Sequence, residues 1–225
     1  MSPDPRFIHL RFHSEYSITD GIVRVDPMIH AIEKSGGVAV GICDLMNIFG
    51  GLRFYTHALA AGIKPILGCD LRILNPKDLK KPFRMGVLCM NHEGYHSLCV
   101  LLTKAFLTKS DAARGLIDPS WFENGGTEGL IALTGGAQGE LGQLLLAKRF
   151  AQAVECGERL KRLFPGRLYV ELQRAGRPSD ELATARLANY AVEQDLPVVA
   201  THPIQFLSRE DFEAHEVRCA IAEGY

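Results

Sequence analysis

The sequence lacks any apolar run near the about 18 residues that a membrane-crossing helix needs, which excludes a helical span. Its opening, MSPDPRF, lacks the basic stretch followed by an apolar one that marks a secretory leader. There is no CxxC pair. Cys43, Cys69, Cys89, Cys99, Cys156 and Cys219 are scattered, several inside apolar runs such as VAVGIC and GVLCM. That is the pattern of buried, reduced thiols in a cytoplasmic protein. Excess charge is lacking too: 25 Lys and Arg face 26 Asp and Glu, so nothing argues for wrapping a nucleic-acid backbone. The one basic stretch, KDLKKPFR (77–84), reads as a solvated loop. No GxGxxG, GxxxxGK[ST] or GxSxG occurs, which removes the usual dinucleotide, P-loop and serine-hydrolase signatures.

What is present is an alternation of strand-like and helix-like segments. FIHLRF (7–12) alternates apolar and polar residues as a strand does. DPMIHAIEKSGG reads as a helix, with Asp26 as its cap, Pro27 in the first turn and Gly36 at its end. VAVGIC (38–43) is apolar throughout, as expected of a strand covered on both faces. A helix through GLRFYTHALAAG follows, then strands KPILGCDLRIL and FRMGVLCMN, and a helix from about 93 to 107. The second half continues with strand GLIALTGG (129–136) and helical sequence from about 139 to 164. There Phe150, Val154, Gly157, Leu160 and Phe164 share one face, and Arg159, Lys161 and Arg162 turn outward. Strand RLYVELQ (167–173), helix SDELATARLANYAVEQ, strand LPVVATH (196–202) and a helix from 209 complete the series. TGGAQGELG (134–142) reads as a tight turn between strand and helix, with a weak resemblance to an anion-binding loop.

Seven strands alternating with helices imply βαβ crossovers, a parallel sheet and one domain over 1–225. An open doubly wound sheet and a closed barrel both fit. The barrel is favoured because His13, Asp44, Asp70, Asn91, Gln173 and His202 fall at or just past strand C-terminal ends, where α/β barrels build their sites.

The stretch HLRFHSEYSITDG (9–21) concentrates the candidate chemistry. His9, His13, Asp20, Asp44, Asp70 and His202 are donors a divalent ion accepts, if the fold gathers them. Each also has a plainer role: packing for His9, capping for Asp44 and Asp70, a turn for Asp20 before Gly21. Arg11 argues against a metal. Strand alternation puts it on the same face as His9 and His13, where a guanidinium repels a cation and pairs with carboxylates.

Whole stretches carry a family resemblance: FIHLRFHSEYSITDG, GICDLMNIFGGLRFYTHALAAGIKPILGCD, NHEGYHSLCVLLTKAF, GLIALTGGAQGELG, RLYVELQRAGRP and LPVVATHPIQFLSREDFEAHEVRCAI. They resemble, in order and over nearly the whole chain, the N-terminal polymerase and histidinol phosphatase (PHP) domain of bacterial DNA polymerase III alpha subunits, proteobacterial type. The resemblance implies an α/β fold, a distorted (βα)7 barrel. It also implies a cluster of metal ions at the strand ends in members that keep a phosphoesterase or proofreading site.

Carried over one position at a time, that ligand set is depleted here. The first histidine of the opening pair is Arg11, and the second is kept as His13. Asp20 is kept. The histidine after Asp44 is Leu45, and the glutamate following the IKPILGC stretch is Asp70. The histidine opening the next strand is Arg84, the cysteine after the TG pair is Gly136, and the histidine after ELQ is Ala175. The late acid and histidine are Pro203 and Gln205, with His202 beside them. The resemblance therefore implies a vestigial pocket with no metal and no catalytic residue, in which Arg11 or Arg84 pairs with Asp20, Asp44 or Asp70.

The function so implied is a non-catalytic scaffold that stabilises the polymerase and docks the proofreading exonuclease subunit. DNA would be met only through the holoenzyme, there would be no membrane partner, and the polymerase's own Mg site would lie outside these residues. The ending IAEGY is read as a cut within a longer chain. The alternative is a metal-dependent phosphoesterase or 3'-5' exonuclease using His13, Asp20, Asp70, His202 and His9. A direct DNA-binding role is disfavoured by the balanced charge.

Overall fold

The computed structural model describes residues 7–108, 110 and 113–224. The readings of the opening six residues and of the final Tyr225 lie outside them. The chain divides into two compact units, one of residues 1–69 and 202–225, the other of residues 70–201.

In the first unit, residues 11–13 do not form the full strand expected of FIHLRF. Phe12 makes isolated parallel bridges to Ile42 and to Ile204. The segment then turns into a single 3-10 turn, Glu15–Ser17, capped by Ser14, whose Oγ accepts the Tyr16 N–H at 3.1 Å. Helix α1 (Val25–Lys34) follows, with Arg24 at its cap position rather than Asp26. Asp26 instead lies in the first turn and accepts Arg53 Nη2 at 2.8 Å. Strand β1 (Ala39–Leu45) is buried at every position but the last, as its unbroken apolar run requires. Helix α2 (Gly51–Ala60) and the start of β2 (Lys64–Ile73), which neighbours β1, come next. Phe12, Val23, Met28, Ile29, Val40, Ile42 and Phe54 form this unit's core. A 3-10 turn, Arg209–Asp211, and α7 (Phe212–Glu223) close the unit, the turn capped by Ser208 and Asp211 in a reciprocal box.

The second unit holds the end of β2, then β3 (Phe83–Cys89), α3 (His92–Leu107), β4 (Leu130–Leu133), α4 (Glu140–Leu146), α5 (Phe150–Leu163), β5 (Leu168–Gln173), α6 (Asp180–Glu193) and β6 (Val198–Thr201). Its strands lie in the order β2-β3-β4-β5-β6. The β4–β5 and β5–β6 pairs are parallel, but β3 and β4 run antiparallel, with Gly86 opposite Leu133. The expectation of an all-parallel sheet is corrected there. The helix expected over 139–164 is two helices, because Lys148 adopts a left-handed conformation (φ 58°) that ends the first. Arg186 Nη1 covers the exposed end, donating to Leu145 O at 2.7 Å and Leu146 O at 3.0 Å. The buried face of α5 is Ala153, Cys156, Gly157 and Leu160, while Phe150 and Val154 are exposed.

Candidate functional site

The residues singled out from the sequence fall in both units. Arg11, His13, Asp20, Asp44, Leu45, His202, Pro203 and Gln205 belong to the first, and Asp70, Arg84, Gly136 and Ala175 to the second.

In the first unit the backbone of residues 11–13 is held on two sides. Phe12 N donates to Gly41 O at 3.2 Å and His13 N to Ile204 O at 2.8 Å, while Ile204 N donates to Arg11 O at 2.9 Å. Phe12 enters the core. Its neighbours Arg11 and His13 fall on the other side of the chain and are also buried, at 3% exposure each. Ser14 then meets Asp44, near the C-terminal end of β1. Its N–H donates to Asp44 Oδ1 at 2.6 Å and its hydroxyl to Oδ2 at 2.8 Å, so each oxygen of this buried carboxylate takes a donor from one residue. Burial pushes the Asp44 carboxyl up in pKa. The Ser14 donors and the charge of His13 oppose that, and the charge of Asp20 adds to it.

Asp20 is bound as closely. Oδ1 accepts the Ser17 hydroxyl at 2.6 Å, and Oδ2 lies 3.0 Å from His13 Nδ1 and accepts Gln205 Nε2 at 3.1 Å. Ser17 Oγ in turn accepts the Leu45 N–H at 3.0 Å. His13, Asp20, Asp44, Leu45 and Gln205 are thus brought together with Ser14 and Ser17. The second group, His9 and His202, is electrostatically linked: burial and the charge of His202 hold the His9 imidazole below its usual pKa. His202 itself is exposed.

In the second unit Asp70, buried on β2, has Arg84 Nη1 of β3 at 3.6 Å from Oδ2. Gly136 follows β4 with φ 55°, and a Cβ there would stand 3.2 Å from the Gln173 side chain. Gln173 therefore fills the space a larger residue would need. It is anchored by Nε2, which donates to Glu171 Oε1 at 3.0 Å and to Thr201 Oγ1 at 3.2 Å. Glu171, fully buried, also accepts the Thr201 hydroxyl at 2.5 Å and the Gly135 N–H at 2.9 Å. Ala175 contributes only its N–H, given to Asp180 Oδ2 at 2.8 Å.

Sequence reading missed Ser14, Ser17, Glu171, Thr201 and Thr134, whose Oγ1 accepts the Glu171 N–H at 3.0 Å. For Glu171 the sequence carried no signal. The burial of LYVELQ breaks alternation at that position, but only the fold reveals it.

These side chains do not fit a metal cluster. The Asp44 oxygens are taken by Ser14, Leu45 offers no donor atom, and Gln173 abuts the glycine at 136. Among the described residues no three His, Cys, Asp or Glu side chains are grouped so as to hold an ion.

An α/β architecture with a polar constellation around strand ends defines a class, and the sequence matches it: the chain belongs to the PHP domain family, over residues 9–175. In particular it is a PHP domain of the kind carried by proteobacterial DNA polymerase III alpha subunits. It is 44% identical over 99% of its length to DNA polymerase III subunit alpha of Neisseria meningitidis serogroup A, and 38% identical over 100% to that of Haemophilus influenzae. The chain spans about a fifth of the length of these relatives (20% and 19%). In structure it is similar to a Bifidobacterium adolescentis protein described as a metal-dependent phosphoesterase. The TM-score is 0.55 at 12% identity, covering 96% of this chain and 98% of that one. That likeness shows a shared α/β fold.

Proposed function

We propose that this chain is the PHP module of a replicative DNA polymerase III alpha subunit and works there as a non-catalytic scaffold. It would stabilise the polymerase chain it belongs to and dock the proofreading exonuclease subunit. The compartment would be the cytoplasm, with no membrane partner, and DNA would be reached only through the assembled polymerase. No cofactor is assigned to this module; Mg would serve the polymerase site outside these residues. The observation that carries the reading is the Ser14–Asp44 pairing. A carboxylate whose two oxygens already take an N–H and an O–H in a buried site is poorly placed to ligate an ion. The Arg84–Asp70 ion pair supports it, since a guanidinium beside a carboxylate occupies the place of a cation.

The second reading, a metal-dependent phosphoesterase or 3'-5' exonuclease, is favoured by one contact. Asp20 beside His13 Nδ1 is how a carboxylate orients an imidazole whose other nitrogen binds metal.

The test is metal content and hydrolysis of a generic phosphate ester with added Mn, alongside a pull-down with the cognate exonuclease subunit. The scaffold reading expects substoichiometric metal, no turnover and retention of the exonuclease. Stoichiometric metal with turnover abolished by His13→Ala would establish the second reading instead.

A further inference from the structure

The second unit also carries a cleft. It has a volume of about 510 Å³, in the range of sites that enclose a peptide or small ligand. One wall is α3, through Glu93, His96, Val100 and Lys104; these positions recur at the spacing of a single helix face. The other wall is the 3-10 turn Pro119–Phe122 and the loop that follows it to residue 128, which bring Trp121, Glu123 and Glu128.

That loop is held from behind. Thr127 Oγ1 donates to Leu163 O at 2.6 Å, and Arg167 Nη1 donates to Thr127 O at 2.6 Å and Leu130 O at 2.8 Å. A Cβ at position 126 would stand 1.9 Å from the main-chain carbonyl oxygen of Trp121, so only glycine permits this close turn of the backbone. The wall is therefore formed before any partner arrives, and binding need not meet the cost of ordering it.

Chemistry selects the occupant. Glu93, Glu123 and Glu128 form no ion pair among the described residues, and Lys104 is the single cation of the lining. Unpaired carboxylates lining the same cleft as an indole suit a guanidinium, which stacks on a ring while its N–H fork meets a carboxylate. They repel phosphate, so nucleic acid is the wrong partner for this face. From position 93 to 104 the helix rises about 16 Å, the length of about five residues of extended chain.

We propose that this cleft binds an extended, arginine-bearing peptide segment of a partner protein, with an arginine seated between Trp121 and the glutamates. The proposal is independent of the pocket's catalytic state and of exonuclease docking.

Trp121 is the only tryptophan of the sequence, so its fluorescence reports the cleft directly. The 225-residue chain would be titrated with a blocked pentapeptide of alternating glycine and arginine, and with its lysine and glutamate counterparts. A saturable change with the arginine peptide, several-fold weaker with lysine and absent with glutamate, is expected. In the variant Glu123→Gln/Glu128→Gln, which keeps the indole and the loop, affinity should fall about tenfold. Calorimetry with Trp121→Leu should show the same direction of loss. No saturable response, an equal response to lysine, or unchanged affinity in the double variant would overturn the assignment.

Discussion

Ser14→Ala tests the first-unit reading most sharply. The substitution deletes the hydroxyl that donates to Asp44 Oδ2 at 2.8 Å and accepts the Tyr16 N–H at 3.1 Å. A hydrogen bond to a charged acceptor contributes about 1.5–3 kcal/mol, and a cap of this kind about 0.5–1 kcal/mol. The expected loss is therefore about 2–4 kcal/mol. For a chain of this size that is about 4–16 °C in Tm.

The loss must depend on pH in one direction. Asp44 already has a raised pKa, because burial outweighs its donors, and removing one donor raises it further. A carboxyl with a raised folded pKa holds its proton more tightly when folded. Its penalty is then full above the folded pKa and fades as pH falls toward the unfolded value of about 3.9. The variant should be most destabilised near neutrality and approach wild type on acidification. Denaturant unfolding followed by circular dichroism at pH about 7.5 and about 5 measures this, in the wild-type and Asp44→Asn backgrounds. The cycle should return a coupling of about 1–2 kcal/mol at the higher pH. A Ser14→Ala cost that is identical in the Asp44→Asn background, or that grows on acidification, would refute the account.

Gly136→Cys restores the thiol that the family resemblance places there. It should nonetheless cost about 1–2 kcal/mol, because residue 136 sits at φ 55° against Gln173; thermal unfolding and competition with a zinc chelator should show lower stability and no gain in zinc affinity. Glu171→Gln replaces a carboxylate that accepts three donors by an amide whose NH2 must face one of them. A loss of about 2–4 kcal/mol by denaturant unfolding is expected, and a change under 0.5 kcal/mol would show the network to be dispensable. Burial pushes the Cys89 and Cys156 thiols up to about 12, so at pH about 8 both should react with a thiol reagent far more slowly than in denaturant, as peptide mapping would show.

The strands most legible in the sequence are those whose residues are buried on both faces. Of VAVGIC, residues 39–43 entered β1 and are all inside, while Val38 stays outside the strand and exposed, and LIAL became β4. Strand direction was not legible, because side-chain alternation is the same whichever way a neighbour runs; hence the antiparallel β3–β4 pair. The split of 139–164 was hidden because nothing about Lys148 as a residue type announces a left-handed backbone. With the helix restarted at Phe150, the apolar face shifted to Ala153, Cys156 and Leu160, and the larger Phe150 and Val154 were left outside. At the site, acids and histidines were visible as types, but their partners were not. Ser14 and Ser17 are ordinary loop residues until the fold sets them against Asp44 and Asp20. Nothing in RLYVELQ announces that Glu171 is fully buried.

The buried acids are satisfied by different means, two of them within the second unit alone, and the difference bears on the scaffold reading. Around Glu171 the donors are an amide, a hydroxyl and a backbone N–H converging on one carboxylate. Asp70 has a guanidinium within 3.6 Å. Asp44 receives two donors from Ser14 and still has a raised proton affinity, so hydrogen bonds alone do not offset its burial. An under-compensated buried acid is a cost that a bound cation would remove, and a scaffold has no chemical use for it. Its persistence is understandable if the Asp44 contacts position the 14–20 loop, since Ser14 caps the 3-10 turn through the same hydroxyl it gives to Asp44. On this argument Asp44→Asn should keep the loop and relieve the charge, leaving the chain at least as stable as wild type at neutral pH. If Asp44 were instead a retained ligand, the same substitution would lower metal affinity and leave the loop's contribution to stability unexplained.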